Sequence, residues 1–153
     1  SEWQIITAKY LAGLLLVIFS VLPTIVYYFS LKSLGNPVGN IDSGGTWGSY
    51  LGLIFLGGSF VSIGLFASSL TENQIVSFLI GFFLCFFFYA GFDSIASMEL
   101  FQPLDQLIIK LGINEHFGSM SRGVIDSRDL IYFISFTLFF LALTRFRLLS
   151  RTW

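Results

Sequence analysis

Two long apolar runs joined by one polar tetrapeptide constrain this chain more than any other feature. Residues 50–70 and 75–92 flank Thr71-Glu72-Asn73-Gln74. Each run is close to the roughly 20 residues a helix needs to cross a bilayer. The first is rich in small residues, from Gly52 through Gly57, Gly58, Ser59, Ser62 and Gly64 to Ser69, and the second is rich in phenylalanine. Between them, Thr71 reads as the N-cap of the second helix, with Gln74 three residues on completing a capping box. A tight helical hairpin in a membrane is expected.

Composition agrees. Of 153 residues, 55% are hydrophobic and 11% charged, whereas a soluble domain carries about 25% charged residues. The mean hydropathy is +0.82. A net charge of -1 with no basic stripe leaves nothing to neutralise phosphates, so a nucleic-acid partner is not expected. Cys85 is the only cysteine, which excludes a disulfide within the chain and a cysteine metal cluster. The opening Ser1-Glu2-Trp3 does not have the pattern of a signal peptide.

The fold class expected is all-α, a polytopic transmembrane bundle of four spans at about residues 10–30, 50–70, 73–92 and 127–147. Lys9 and Lys32 bracket the first span, and Pro23 should kink it. Residues 33–47, with Pro37 and Gly44-Gly45, read as a turn-rich loop. Residues 93–126 are too long for an idle connection and read as a short amphipathic or re-entrant helical segment. There Leu104, Leu107, Ile108 and Leu111 recur at helical spacing, with Pro103 as a first helical residue and Gly112 as a stop. Asn114 reads as the cap of a further short turn through Phe117. The last helix should start near Ser127 and continue to about Leu149, Arg145 and Arg147 snorkelling to the headgroups.

Four spans put both termini and the 71–74 turn on one side. Lys9, Arg145, Arg147 and Arg151 belong to that side; Lys32, Lys110, Arg122 and Arg128 belong to the other. The counts tie, and the closer placement of the first set to the span ends favours cytoplasmic termini. Trp3, Tyr10 and Trp153 would mark one interface, and Tyr27, Tyr28, Trp47, Tyr50, Tyr89 and Tyr132 the other.

Candidate chemistry is sparse. Gly48 and Gly52, Gly58 and Ser62, and Gly64 and Ser68 are each four apart, which lets helix backbones approach closely. Gly52, Gly57, Gly58, Ser62 and Gly64 form the candidate packing surface, either static or sliding. His116, the only histidine, lies off the spans, so a membrane serine such as Ser59 has no base beside it. Asp93 and Glu99 read as edge residues. Arg122, Asp126, Arg128 and Asp129 alternate in sign beside a helix start and suit a structural clasp. No Gly-x-x-x-x-Gly-Lys-[Ser/Thr] loop, dinucleotide fingerprint or metal-ligand cluster is present, so no cofactor and no enzymatic activity are expected on this chain.

Three stretches carry a resemblance. They are Ser1-Glu2-Trp3-Gln4-Ile5-Ile6 with Lys9-Tyr10-Leu11-Ala12, the run from Gly48 to Gln74, and His116-Phe117 with the segment from Arg122 to Phe133. Together they resemble ABC-2 type transporter permeases, and within that family the gliding-motility branch. The resemblance implies the C-terminal four spans of a six-span permease half, with cytoplasmic termini, in a bacterial inner membrane. It implies a homo- or heterodimer of permeases, a cytoplasmic ABC ATPase subunit holding ATP and Mg, and an auxiliary membrane subunit. Thr71, Glu72, Asn73 and Gln74 would then face the ATPase, while His116, Arg122, Asp126, Arg128 and Asp129 would clasp an external gate. The alternative function is a non-transporting scaffold of a motility or secretion complex.

Overall fold

The computed structural model of the chain describes residues 2–35, 37, 39, 42–100, 103–123 and 126–150. Ser1, Val124, Ile125, Arg151 and Trp153, which figure in the expectations above, lie outside the described residues. Among the described residues the structure is helical, with no strand.

Helix α1 (Glu2–Val21) passes through a 3-10 turn (Leu22–Thr24) into α2 (Ile25–Leu34). Pro23 lies in the turn, where it supplies no backbone donor. The Thr24 hydroxyl donates to the Val21 carbonyl at 2.6 Å and lies 2.9 Å from the Tyr50 hydroxyl. The break is therefore tied to the next span. Glu2–Leu34 comprises 33 residues, a length of about 50 Å at 1.5 Å per residue. That exceeds the bilayer's apolar core of about 30 Å, so this span tilts or projects from it.

Helix α3 (Ser43–Leu70) begins well before residue 50 and takes in the last third of the expected loop. The Gly44-Gly45 pair looks like turn chemistry, but three contacts outweigh it. The Asp42 carboxylate caps the helix by accepting from the Gly45 amide at 2.9 Å. Trp47 packs on Tyr28, ring centroids 5.1 Å apart. Gly48 fits against the backbone of Met120 and Gly123.

Helix α4 (Gln74–Phe86) widens into a π turn (Phe87–Gly91) and continues as α5 (Phe92–Ser97). Two short helices follow, α6 (Asp105–Leu111) and α7 (Ile113–Ser121), and the chain closes with α8 (Ser127–Ser150). Pro103 precedes α6 rather than opening it. Gly112 ends α6 with an extended backbone, and Asn114 lies inside α7 instead of capping it.

Glu2–Leu34, Ser43–Leu70, Gln74–Ser97 and Ser127–Ser150 are each long and apolar enough to cross a membrane. The chain is an integral membrane protein with an all-α bundle. Helix α3 is its centre and packs on α1, α4, α7 and α8. Every buried residue of α3 except Ile63 is Gly, Ser or Ala, which is what allows four neighbours to come close. Helix α4 has no buried residue, and Phe78, Phe82, Phe83 and Phe86 stand exposed along it. That face suits lipid contact, where phenylalanine incurs no penalty.

The first and last helices meet at one end, where the Arg145 guanidinium lies 5.2 Å from the centre of the Trp3 ring. Tyr10, expected at that interface, turns inward instead: a methyl group on Gly58 would lie 2.7 Å from its hydroxyl. The hydroxyl pairs with Thr137, and Ser59 Oγ lies 3.5 Å from Thr137 Oγ1. A buried hydroxyl needs a partner in hydrocarbon, and this cluster of α1, α3 and α8 supplies them.

Candidate functional site

The structure separates the residues singled out above into three places. At one end of α3 lies the 71–74 turn. Along α3 runs the small-residue surface, and at its other end the helical pair α6–α7 docks.

In the turn, the cap is Asn73 rather than Thr71. Asn73 Oδ1 accepts from the amides of Ile75 at 2.9 Å and Val76 at 3.3 Å, and its carbonyl accepts from Ser77. Thr71 is extended, at φ -148° and ψ 154°, so its hydroxyl falls one step short and accepts from the Asn73 amide. Gln74 is the first helical residue and does not close a capping box. Glu72, Asn73 and Gln74 are exposed, Thr71 partly so.

The small-residue surface does not act as one stripe. Gly57 meets Val17 and Gly58 meets Tyr10 and Leu14, all on α1. Gly48 and Gly52 instead meet α7, through Met120 and Phe117. Ser62 is buried and donates to the Ser59 carbonyl. Gly64 has no atom within 4 Å of where a side chain would start. It opens onto an apolar groove of about 460 Å³ beside Ser77, Gly81 and Cys85 of α4. The three four-residue spacings are alike in sequence, and only two of them mark a close approach.

Ile113 and Met120 of α7 form a buried apolar cluster with Phe133 of α8. The polar fastenings of the pair α6–α7 explain why such short helices hold. An isolated helix of this length is unstable in water, and its last carbonyls lack partners within it. The final carbonyls of α6 find them elsewhere. Lys110 O lies 2.8 Å from His116 Nε2 on α7, and Leu111 O accepts from the Tyr132 hydroxyl on α8 at 2.6 Å. His116 Nδ1 lies 2.7 Å from Asp129 Oδ1, and the imidazole stacks on the Tyr132 ring at 3.8 Å with 15° between planes. Asn114 donates to Asp93 at 2.6 Å, tying α7 to the end of the third span. Ser49 donates to the Ser121 carbonyl and ties α7 to α3.

The clasp residues thus divide. His116 and Asp129 are in direct contact, with Asp129 buried. Asp126 accepts from the Arg128 amide at 3.0 Å, and its carbonyl accepts from Asp129 and Leu130, so it caps α8. Arg122 and Arg128 are exposed and pair with none of these acids. Alternating sign in sequence does not become alternating ion pairs, because Asp126 turns to its own helix and Asp129 turns inward. The turn after α7 requires Gly123, at φ +86° and with Gly44 3.0 Å from where a side chain would start. His116, Lys110, Asp126 and Asp129 border an open polar recess of about 380 Å³.

Sequence reasoning missed Tyr132 as a fastening, having read it as an interface marker. The available signal was its position three residues after Asp129, which places both on one face of α8. Among the described residues no group of three or more His, Cys, Asp or Glu is placed to hold a metal. Comparison of the chain with known protein families, with curated proteins and with solved structures finds no match.

Proposed function

We propose that this chain is a membrane-embedded part of an ABC exporter permease, coupled to ATP hydrolysis on a partner subunit and serving gliding motility. The observation that carries this reading is the construction of α3. It is a small-residue helix on which all the other long helices pack, with an exposed polar turn at one end and a docked helical pair at the other. Such a helix can transmit a displacement between its ends, because its glycine and serine positions let the neighbouring backbones come close, while Phe55 and Phe66 couple it to α8 through ring contacts with Phe133 and Phe140. The resemblance to ABC-2 permeases assigns the ends. Thr71, Glu72, Asn73 and Gln74 would meet a cytoplasmic ATPase, and α6–α7 would shape the opposite mouth. In this reading the membrane is the bacterial inner membrane, the termini are cytoplasmic, and a second permease chain completes the pathway. ATP and Mg belong to the ATPase subunit.

The test is affinity purification of the tagged protein from its native membrane, followed by ATPase assay. Recovery of a nucleotide-binding partner whose catalytically dead variant abolishes gliding supports the proposal. Gliding that persists with a dead partner would instead favour a non-transporting scaffold. Loss of ATPase co-purification on Glu72→Lys, with the protein still in the membrane, would place the contact at the turn.

A further inference from the structure

We propose that His116, Asp129 and the Lys110 carbonyl form a proton-binding site that fastens α6–α7 to α8, so that docking of the helical pair is coupled to one proton. The inference does not depend on the permease reading. It rests on hydrogen-bond parity. His116 Nδ1 faces a carboxylate oxygen at 2.7 Å, and Nε2 faces a carbonyl oxygen at 2.8 Å. A carbonyl and a carboxylate both accept, whereas a neutral imidazole has one donor and one lone pair. With Asp129 ionised and the ring neutral, one ring nitrogen sets its lone pair against an oxygen. One added proton turns both contacts into hydrogen bonds.

Three features favour placing that proton on the ring. Asp129 lies in the first turn of α8, where the positive end of the helix favours a carboxylate anion. The Lys110 carbonyl belongs to the last turn of α6, the end that attracts a cation. The Tyr132 ring lies parallel to the imidazole at 3.8 Å, presenting its negative face to it. The other charged groups at the recess are Lys110, Glu115, Asp126 and Arg128, two of each sign. Lys110, Glu115 and Arg128 are exposed, so water screens them. Asp93 accepts a hydrogen bond from Asn114 and does not line the recess. The Asp129 carboxylate, with 8% of its side chain exposed, therefore dominates the field at the ring.

The direction of the coupling follows from linkage. Over the pH interval in which the undocked ring has released its proton and the docked ring still holds it, the docked form binds one proton more, so docking is strongest below that interval and weakens as pH rises through it, by at most roughly tenfold per pH unit. An imidazole without these partners releases its proton near about pH 6.5, so the weakening begins there and proceeds above it.

As the chain has a single histidine, ¹⁵N-histidine labelling of the full chain in lipid nanodiscs gives one pair of ring signals. Hydrogen exchange at residues 105–121 reports docking in the same sample. At about pH 5.5 both ring nitrogens should carry protons and the segment should be protected; at about pH 8.5 protection should fall beyond the change in intrinsic exchange rate. Asp129→Asn should remove this pH dependence, since an amide N–H can donate to a bare Nδ1 and leave Nε2–H for Lys110. A bare ring nitrogen at about pH 5.5 in a protected segment would overturn the proposal. So would pH dependence in Asp129→Asn equal to that of the parent protein. If that variant does not fold, the ring spectrum of the parent decides.

Discussion

Substituting alanine for single glycines of α3 separates close helix approach from mere spacing. At Gly48 the new methyl would strike the Met120 carbonyl and lie 2.9 Å from Gly123 Cα and 3.2 Å from Gly123 N. These are backbone atoms of a turn already fixed by Gly123, so they cannot step aside as a side chain could. Overpacking of this kind costs about 1–3 kcal/mol, offset by about 0.5–1 kcal/mol gained when glycine leaves a helix interior. Gly48→Ala should therefore destabilise by about 1–2 kcal/mol. At Gly52 the nearest atoms are the Phe117 ring at 3.1 Å and Met120 Cβ at 3.3 Å; the ring can turn, and the net loss should be below about 1 kcal/mol. At Gly64 nothing obstructs the methyl, and the helix gain alone predicts a change of about 0.5–1 kcal/mol towards greater stability. Reversible unfolding in mixed micelles, read by tryptophan fluorescence and followed as denaturing detergent is titrated, gives all three values on one scale. If Gly48→Ala is as stable as Gly64→Ala, α7 is not seated on the backbone of α3 and the account of the docked pair is wrong.

Further outcomes follow from the fastenings. Asn73→Ala should lower stability by about 1 kcal/mol through loss of the cap, and Thr71→Ala by clearly less; the reverse order in the same unfolding assay would restore the capping box that Thr71 and Gln74 suggest. Tyr132→Phe leaves the Leu111 carbonyl without its protein donor and should cost about 0.5–1.5 kcal/mol, with faster hydrogen exchange confined to residues 105–121; exchange spread over α8 would contradict the assignment. Arg122→Ala and Arg128→Ala should each stay within about 0.5 kcal/mol of the parent, because both are exposed; a larger loss would show that an ion pair had been overlooked.

The long apolar helices were legible because continuous apolar sequence at membrane length has few alternatives. The start of α8 was equally plain, since polar residues stop abruptly at Leu130. Three things were not legible. The early start of α3 is set by the local Asp42 cap together with Tyr28 and the turn at Gly123, contacts more distant in sequence, and these override the signal of Gly44-Gly45. Gly64 shares its spacing with Gly58, and only the placement of the neighbouring helices shows that one is packed and the other open. The pairing of His116 with Asp129 joins residues on two helices, while the nearby arginines offer a more obvious but unrealised pairing. The amphipathic segment was legible as helical, and so was its stop at Gly112; the contacts by which Tyr132 and His116 meet the freed carbonyls were not.

The claim on which the rest depends is the crossing pattern: the 71–74 turn on one side of the membrane and the α6–α7 pair on the other. Labelling with a membrane-impermeant maleimide tests it directly. Glu72→Cys and Glu115→Cys, each in a Cys85→Ser background, would be compared in sealed right-side-out and inverted vesicles. The account predicts that each position labels in only one orientation and that the two orientations are opposite. Labelling of both positions from the same side would contradict it.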